Sequence, residues 1–269
     1  MHNLVDCYRH LWLLSGTGEG PALASALTND GWKVTVSVVS HKALVGYEGI
    51  ALHEILSGSL EGIKGIKGFL EDSKVKHNGF KVVVDATHPF ASTITKNLKK
   101  ACTDFDQRLI RFERKINDLE EATLINSFQE IEDEPLLGKN LLFAIGFRSL
   151  REAVISGRRS GANIFARIPP SVKAIQCASS IGLNEDQIAL VNPLQGSISG
   201  DIENALCNRW FIDAVVCRQS GGVIENLWQE ISKSRSMRLF LLARPSKLCD
   251  LEVVYSLQEL KAKIKSAYL

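Results

Sequence analysis

The chain has 269 residues, of which 45% are hydrophobic and 23% are charged, and its net charge is +2. These are ordinary globular values, and at about 150 residues per domain the length favours two domains. The small net charge and scattered basic residues exclude a nucleic-acid-binding arm. No stretch reaches the ~20 apolar residues that cross a bilayer, and the charged start MHNLVDCYRH is not a secretory signal. We therefore expect a cytoplasmic protein without nucleic-acid or membrane partners.

The six cysteines are dispersed along the chain and include no CxxC pair. Several lie among apolar neighbours, where cysteine behaves as a small hydrophobe. We therefore expect reduced thiols and no metal site.

Short apolar runs alternate with helix-length segments in the first part of the chain. The runs cover residues 11–16, 32–40, 50–56, 81–87 and 108–112. The segments predicted as helices are 21–30, 60–76 and 92–103. Continuous β-branched runs are typical of strands buried on both faces, so the pattern predicts a parallel sheet flanked by helices.

The same alternation of apolar runs and helix-length segments begins again after an acidic stretch, residues 113–138. Predicted strands are 140–146, 162–168, 187–191, 213–218 and 238–243, and predicted helices are 149–157, 171–181, 200–209 and 223–234. We predict an N-terminal domain over 1–113, a linker zone over 114–139 that carries one strand, and a C-terminal α/β domain over 140–269.

A glycine-rich segment, SGTGEG, joins the first predicted strand to the first predicted helix. A tight turn there would bring backbone N–H groups to a phosphate, with the helix N-terminus adding positive potential. The spacing departs from GxGxxG, and a plain turn is the alternative. The candidate cofactor-binding residues of this loop are Ser15, Gly16, Thr17, Gly18 and Glu19.

The segment after the second strand contains Ser40, His41 and Lys42 and no acid. An NAD site usually has an acid there for the ribose hydroxyls, whereas an NADP site has groups that accept an extra phosphate. If a dinucleotide binds, the segment therefore favours NADPH. A solvated loop is the alternative.

The stretch VVVDATHPFA places polar residues at the end of the fourth predicted strand, where ligands bind in open α/β sheets. Pro89 fits the first position of the next helix, with Thr87 or His88 as its cap. Capping explains one or two of the polar residues but not the whole run. These groups could instead hold a carboxylate or orient a cofactor amide, and Asp85 and His88 are the titratable candidates for delivering a proton.

Four strand ends in the second half each carry one arginine: Arg148, Arg167, Arg218 and Arg244. Arginine forms bidentate bonds to carboxylates and phosphates, so four at one sheet edge predict an anion site. The turn Ser220, Gly221 and Gly222 offers further backbone donors. No GxSxG, HExxH or Walker lysine motif is present, which favours an enzyme whose chemistry belongs to a cofactor.

These motifs together resemble the precorrin-6A reductase family of cobalamin biosynthesis, including its cobalt-precorrin-6A counterpart. The resemblance covers about residues 11–246. It is carried by Ser15–Gly20, the phrase DATHPFA, Gly146-Phe147-Arg148, Ser220-Gly221-Gly222 and Arg244-Pro245.

The resemblance implies two Rossmann-like domains with a cleft between them, NADPH as hydride donor and a polycarboxylate tetrapyrrole as acceptor. One carbon–carbon double bond of the macrocycle would be reduced. Gly16, Thr17 and Glu19 would belong to the cofactor loop, and Thr87 to Phe90 would line the cleft, Pro89 on the cofactor side and Phe90 on the substrate side. The protein would act as a monomer.

The chain departs from the family pattern at several points. The family usually has GGT followed by Glu-Ala in the first loop, and an Arg where His41-Lys42 stands. Its usual Pro-Trp after the fifth strand is replaced by Lys115-Ile116-Asn117, and its usual Lys by Arg218. Two alternatives remain open: a non-catalytic two-domain binding protein of the same fold, and a transferase that uses a nucleotide sugar or methyl donor.

Overall fold

The computed structural model describes residues 9–192, 199–246 and 248–265. They form two compact units, each built on a six-stranded parallel sheet with flanking helices. The first unit takes the chain up to Lys115 and again from Pro245, and the second takes Ile116–Arg244. The predicted α/β class is confirmed.

The sheet of the first unit contains strands from both parts of the chain. Numbered in chain order, they are β1 (His10–Ser15), β2 (Lys33–Val38), β3 (Glu54–Ser57), β4 (Val82–Ala86), β5 (Leu109–Phe112) and β12 (Glu252–Val254). The helices are α1 (Gly20–Asn29), α2 (Gly62–His77), α3 (Ser92–Asp104) and α8 (Leu257–Lys265). A 3₁₀ helix covers His41–Tyr47.

The strand order of this sheet is β12-β5-β4-β1-β2-β3. Leu11 and Leu13 of β1 pack into the apolar cluster on one face, while Trp12 and Leu14 pack into the cluster on the other. Burial on both faces explains why the run is continuous instead of alternating. After β1 the chain adds β2 and β3 on one side of it, and then adds β4 and β5 on the other side. The switch point therefore lies between β1 and β4, and the loops after these two strands flank it.

The second unit has the same layout. Its strands are β6 (Thr123–Ile125), β7 (Asn140–Phe143), β8 (Asn163–Ile168), β9 (Ile188–Leu190), β10 (Ala214–Arg218) and β11 (Arg238–Leu242), in the order β6-β11-β10-β7-β8-β9. The helices are α4 (Leu150–Arg159), α5 (Val172–Ser180), α6 (Asp201–Arg209) and α7 (Val223–Ser234). The switch point of this sheet lies between β7 and β10.

The division of the chain differs from the predicted domains. The sequence predicts a C-terminal domain that includes the residues from Pro245 onward, but these residues belong to the first unit. The reason is pairing and packing: β12 pairs with β5, Arg108 and Glu252 form a two-point ion pair, and Leu260 and Ile264 are buried in the first unit's core. The acidic stretch carries β6 and a 3₁₀ helix over Phe128–Asp133, so it is part of the second unit.

A histidine cluster lies at the edge of the first sheet where the strands begin. The ring of His10 is 4% exposed and shares a 2.9 Å hydrogen bond with the Thr35 hydroxyl. The ring centroids of His53 and His77 lie 4.9 and 5.7 Å away. Burial, followed by the charges of His53, His77 and Lys33, lowers the pKa of His10 to about 4.

This cluster predicts a loss of stability in acid. The folded-state pKa of His10 is below its unfolded value, so the unfolded chain takes up the proton first as the pH falls. The stability that neutral His10 contributes is therefore fully present above about pH 6.5 and is lost as the pH falls towards 4. We expect the free energy of unfolding from urea titrations to fall by about 1 kcal/mol more in the native protein than in His10→Gln between pH 7 and pH 5.5. Equal pH slopes for the two proteins would contradict this.

Candidate functional site

The loops after β1 and β4 touch each other at the switch point of the first unit. The Gly16 N–H donates to the Ala86 carbonyl at 3.4 Å. A Cβ at Gly16 would lie 3.2 Å from the His88 nitrogen and 3.3 Å from the Thr87 Cα, closer than ordinary van der Waals contact. Glycine at this position therefore permits the close approach of the two loops.

The glycine loop offers both room and donors. Helix α1 begins at Gly20, whose missing side chain leaves space for the Ser15 side chain and the Tyr47 hydroxyl. A Cβ at Gly18 would meet no atom within 4 Å. Among the described residues, the N–H groups of Thr17 and Gly18 donate to no protein atom. These features fit a phosphate at the N-terminus of α1.

Glu19 in the same loop is held by Arg114, which the sequence did not single out. The guanidinium approaches both carboxylate oxygens, at 2.5 and 2.6 Å. Burial alone would raise the pKa of Glu19, but the hydrogen bonds from Arg114 and Thr17 outweigh it and lower that pKa. The ion pair offsets a negative charge that would otherwise repel an anion at the loop.

The segment after β2 is exposed. Ser40 precedes the 3₁₀ helix, and the His41 ring lies 3.0 Å from the Ser57 hydroxyl. Lys42 is exposed in the first turn. No acid occurs between Val38 and Tyr47, so Lys42 gives this segment a positive charge.

Asp85 is 0% exposed at the end of β4, and donors surround its carboxylate. One oxygen accepts the Thr87 N–H at 3.0 Å and the Thr87 hydroxyl at 2.7 Å. The same oxygen lies 2.7 Å from an Arg111 nitrogen, and the other accepts the Thr95 hydroxyl at 2.7 Å. These contacts compensate the buried charge and join β4, β5 and α3 at one point.

The loop after Asp85 differs from the predicted helix cap. Helix α3 begins at Ser92, after Ala91, and no side chain caps it. Pro89 is therefore in a turn, closed by the Ala91 N–H donating to the His88 carbonyl at 2.7 Å. The Thr87 hydroxyl is not a cap because it donates to Asp85.

His88 is held by its own loop. Its Nδ1 accepts the Phe90 N–H at 3.2 Å. An Nδ1 that accepts leaves the proton of the neutral ring on Nε2. The imidazole is half-buried, and Phe90 lies beside it with 5.8 Å between ring centroids.

Arg111, Thr95 and Glu113 complete this network and were missed by sequence reasoning. Arg111 is 3% exposed, pairs in register with Asp85, and also donates to the Thr87 hydroxyl at 2.9 Å and to Glu113 at 3.0 Å. The available signal was an arginine inside the apolar run RLIRF, which forms the next strand after β4, where Asp85 is the residue before the last.

In the second unit, the four arginines follow four neighbouring strands. The strands β11, β10, β7 and β8 are adjacent, and the arginines are at or after their ends: Arg244, Arg218, Arg148 and Arg167. Arg167 forms an ion pair of 3.2 Å with Glu203, which is 1% exposed on α6. Arg244 donates through Nε to the Gln219 carbonyl at 2.8 Å.

The Ser-Gly-Gly turn precedes α7. Ser220 is buried, Gly221 has a φ of +65°, and Gly222 is the residue before the helix. The Gly221 N–H donates to the buried carboxylate of Glu225 at 2.7 Å. That amide is therefore not available to a ligand, contrary to the sequence-based expectation.

Over residues 9–192, 199–246 and 248–265, the structure contains no group of three or more His, Cys, Asp and Glu side chains arranged to hold a metal ion. Nor does any described helix have the length and apolarity needed to cross a membrane.

Two doubly wound α/β units, the first with a glycine loop at its switch point, define a protein of the Rossmann type. A solved structure described as CobK precorrin-6A reductase matches with a TM-score of 0.72 over 96% of this chain and 97% of that chain. At 21% identity, this match shows the shared fold.

Comparisons of sequence give the family. Residues 10–265 match the family described as Precorrin-6x reductase CbiJ/CobK. A cobalt-precorrin-6A reductase of Synechocystis sp. is 30% identical over 90% of this chain and 91% of that protein. A precorrin-6A reductase of Mycobacterium tuberculosis is 25% identical over 87% of this chain and 88% of that protein. The chain belongs to the precorrin-6x reductase family and is an oxidoreductase of cobalamin biosynthesis, as the resemblance indicated.

The Asp85–Arg111 pair leads to a stability prediction. Removing one partner of a buried ion pair leaves an uncompensated charge and costs about 3–5 kcal/mol. We expect Arg111→Met to lower the free energy of unfolding in urea by that amount, and Asp85→Asn combined with Arg111→Met to cost less than the sum of the single changes.

The matched control is Lys76→Met, which breaks an exposed ion pair with Asp72. It should change the free energy of unfolding by no more than about 0.5 kcal/mol. If Arg111→Met cost no more than this control, the buried pair would not stabilise the loop.

Proposed function

We propose that this protein is an NADPH-dependent reductase that transfers a hydride to a carbon–carbon double bond of precorrin-6A or of cobalt-precorrin-6A. Membership of the precorrin-6x reductase family supports the reaction class. The observation that carries the cofactor assignment is the pair of touching loops at the β1–β4 switch point, since ligands bind there in doubly wound sheets.

The proposed cofactor site uses Ser15, Gly16, Thr17, Gly18 and Glu19 for the pyrophosphate side. The donors of Thr17 and Gly18 face no protein acceptor in the described residues, which supports this role. Ser40, His41 and Lys42 would hold the 2′-phosphate, because their segment is exposed and free of acids. The bound cofactor would supply the hydride, and the protein would supply orientation.

The two titratable candidates then have different roles. Asp85 is fully buried and saturated with donors, so we assign it to positioning the loop, not to proton delivery. His88 is half-buried, and we assign proton delivery to it: its imidazolium form would give one proton to the carbon next to the one that receives the hydride and return to the neutral ring, whose Nδ1 accepts the Phe90 N–H. Thr87 and Pro89 would orient the cofactor, and Phe90 would contact the macrocycle.

The carboxylates of the acceptor are proposed to bind at the strand-end arginines of the second unit. A polycarboxylate needs several cationic partners, and guanidinium groups bind carboxylates with two parallel hydrogen bonds. The acceptor would thus be held by its periphery, while its reacting carbon stays free of tight contacts.

The direct test is anaerobic oxidation of NADPH by the purified protein with precorrin-6A and, separately, with cobalt-precorrin-6A. NADH serves as the control donor. We expect turnover with NADPH on one of the two acceptors. Turnover is measured by the loss of NADPH absorbance and by mass spectrometry of the reduced macrocycle. Binding of NADPH without turnover on either acceptor would instead support a non-catalytic binding protein, and turnover with NADH alone would overturn the cofactor assignment.

A second prediction concerns the 2′-phosphate. Lys42→Ala removes one charge-assisted contact, so the dissociation constant for NADPH should rise about tenfold while that for NADH stays unchanged. Fluorescence titration of both cofactors measures this. Lys64→Ala removes an equal charge from the exposed face of α2 and should leave both constants as they are. Equal weakening of NADPH and NADH by Lys42→Ala would contradict a 2′-phosphate contact.

A further inference from the structure

We propose that Tyr47 is a positioning residue for the cofactor: its hydroxyl donates to Ser15, and the Ser15 hydroxyl in turn donates to an oxygen of the dinucleotide pyrophosphate. This role rests on the proposed function, because the pyrophosphate is that of NADPH. Tyr47 lies outside the glycine loop, at the end of the 3₁₀ helix that begins with His41 and Lys42.

Tyr47 brings the end of this 3₁₀ helix against the start of α1. Its side chain is 6% exposed and belongs to the apolar cluster that includes Leu23 and Ala24. The preceding residue, Gly46, comes so close to α1 that a Cβ there would lie 3.1 Å from the Pro21 Cγ. The aromatic ring is therefore fixed by packing, and the position of its hydroxyl follows from the fold.

The Tyr47 hydroxyl shares one small space with the Ser15 hydroxyl. A Cβ at Gly20, the first residue of α1, would lie 2.3 Å from the Tyr47 oxygen and 1.8 Å from the Ser15 Oγ. Both oxygens thus occupy the space that the side chain of another residue would fill. Glycine at the start of α1 therefore allows two hydroxyl groups to lie beside the loop whose amides are proposed to bind phosphate.

The Tyr47 hydroxyl lacks a well-formed hydrogen bond. Its oxygen is enclosed, and no group among the described residues reaches a regular hydrogen-bond geometry with it. A buried hydroxyl in this state is unfavourable, and such groups in native proteins call for a functional explanation. Burial raises the pKa of Tyr47 and outweighs the opposite effect of the Ser15 hydroxyl, so the phenol keeps its proton at neutral pH.

The chemistry of the two hydroxyls sets the direction of the relay. A pyrophosphate oxygen only accepts, so Ser15 must donate its one proton to the ligand. The Ser15 oxygen can then accept a second hydrogen bond, and Tyr47 is the donor placed beside it. Each hydrogen bond in such a chain polarises the next, which strengthens the contact to the phosphate.

The first experiment compares the dissociation constants for NADPH and NADH, measured by fluorescence titration, of the native protein, Y47F, S15A and the double variant. We expect Y47F to raise both constants about fivefold and by the same factor, because both dinucleotides contain the pyrophosphate. S15A should do the same. The double variant should bind no more weakly than S15A, because Tyr47 acts only through Ser15.

The matched control is S73A. Ser73 is 4% exposed in α2, and its hydroxyl also lacks a hydrogen-bond partner among the described residues. S73A should leave both constants unchanged. Equal binding by Y47F and the native protein would overturn the relay, as would additive losses in the double variant. A larger loss for NADPH than for NADH in Y47F would also overturn it, because Tyr47 would then act through the 2′-phosphate segment.

Thermal unfolding separates this role from a structural one and needs no dinucleotide. Without ligand, Y47F should melt at the temperature of the native protein or above it, since no regular hydrogen bond is lost. Rising inorganic pyrophosphate, at ionic strength held constant with sodium chloride, should raise the Tm of the native protein and of S73A more than that of Y47F or S15A. A clear loss of Tm in unliganded Y47F, or an equal response to pyrophosphate in all four proteins, would overturn the role of Tyr47.

The same measurements distinguish this role from the cofactor assignment. If the native protein binds neither dinucleotide but pyrophosphate stabilises it through Tyr47 and Ser15, the assignment of NADPH is wrong and the relay to a diphosphate stands. If the native protein binds both dinucleotides and Y47F binds them equally well, the cofactor assignment stands and the relay is wrong.

Discussion

The charge of Asp85 is the constraint on which the first unit's site depends. A carboxylate with no exposure to water must find its partners inside the protein, and here they come from the following loop, from α3 and from the neighbouring strand β5. Meeting that requirement fixes Thr87, and Thr87 fixes the start of the loop that carries His88. The glycine loop then fits against this rigid loop, since Gly16 has no side chain to keep the backbones apart.

The sequence predicted the strands and helices of the fold well because a strand buried on both faces is a continuous apolar run in the sequence. Runs such as that of β1 are continuous, and the helical segments between them were found within a few residues of their observed bounds. It did not predict β12 and α8. Their segment is short, half of its residues are polar, and only Val254, Leu260 and Ile264 are buried. Which sheet such a segment joins depends on long-range pairing with β5, which local patterns do not encode.

The candidate residues could be placed from the sequence, but not their partners. Asp85 stood at the right strand end, yet its role depends on Arg111, which lies 26 positions away and meets it only through strand pairing. The four arginines likewise look equivalent in the sequence. Arg167 differs from Arg148 because Glu203 of α6 forms an ion pair with it. The residues next to Arg167 in the sequence do not indicate this partner, because a later helix contributes it.

The first sheet is closed by a strand from outside its own run of the chain, and this orders events during synthesis. While the ribosome is still translating the second unit, β5 is the open edge of the first sheet and the core beneath α8 is incomplete. The second unit has its edge strand β6 from the start, since β6 is made before the strands it joins. The unit that is translated first is therefore the one that is finished last. A nascent chain released before residues 252–265 would carry a complete second unit and an unfinished first one.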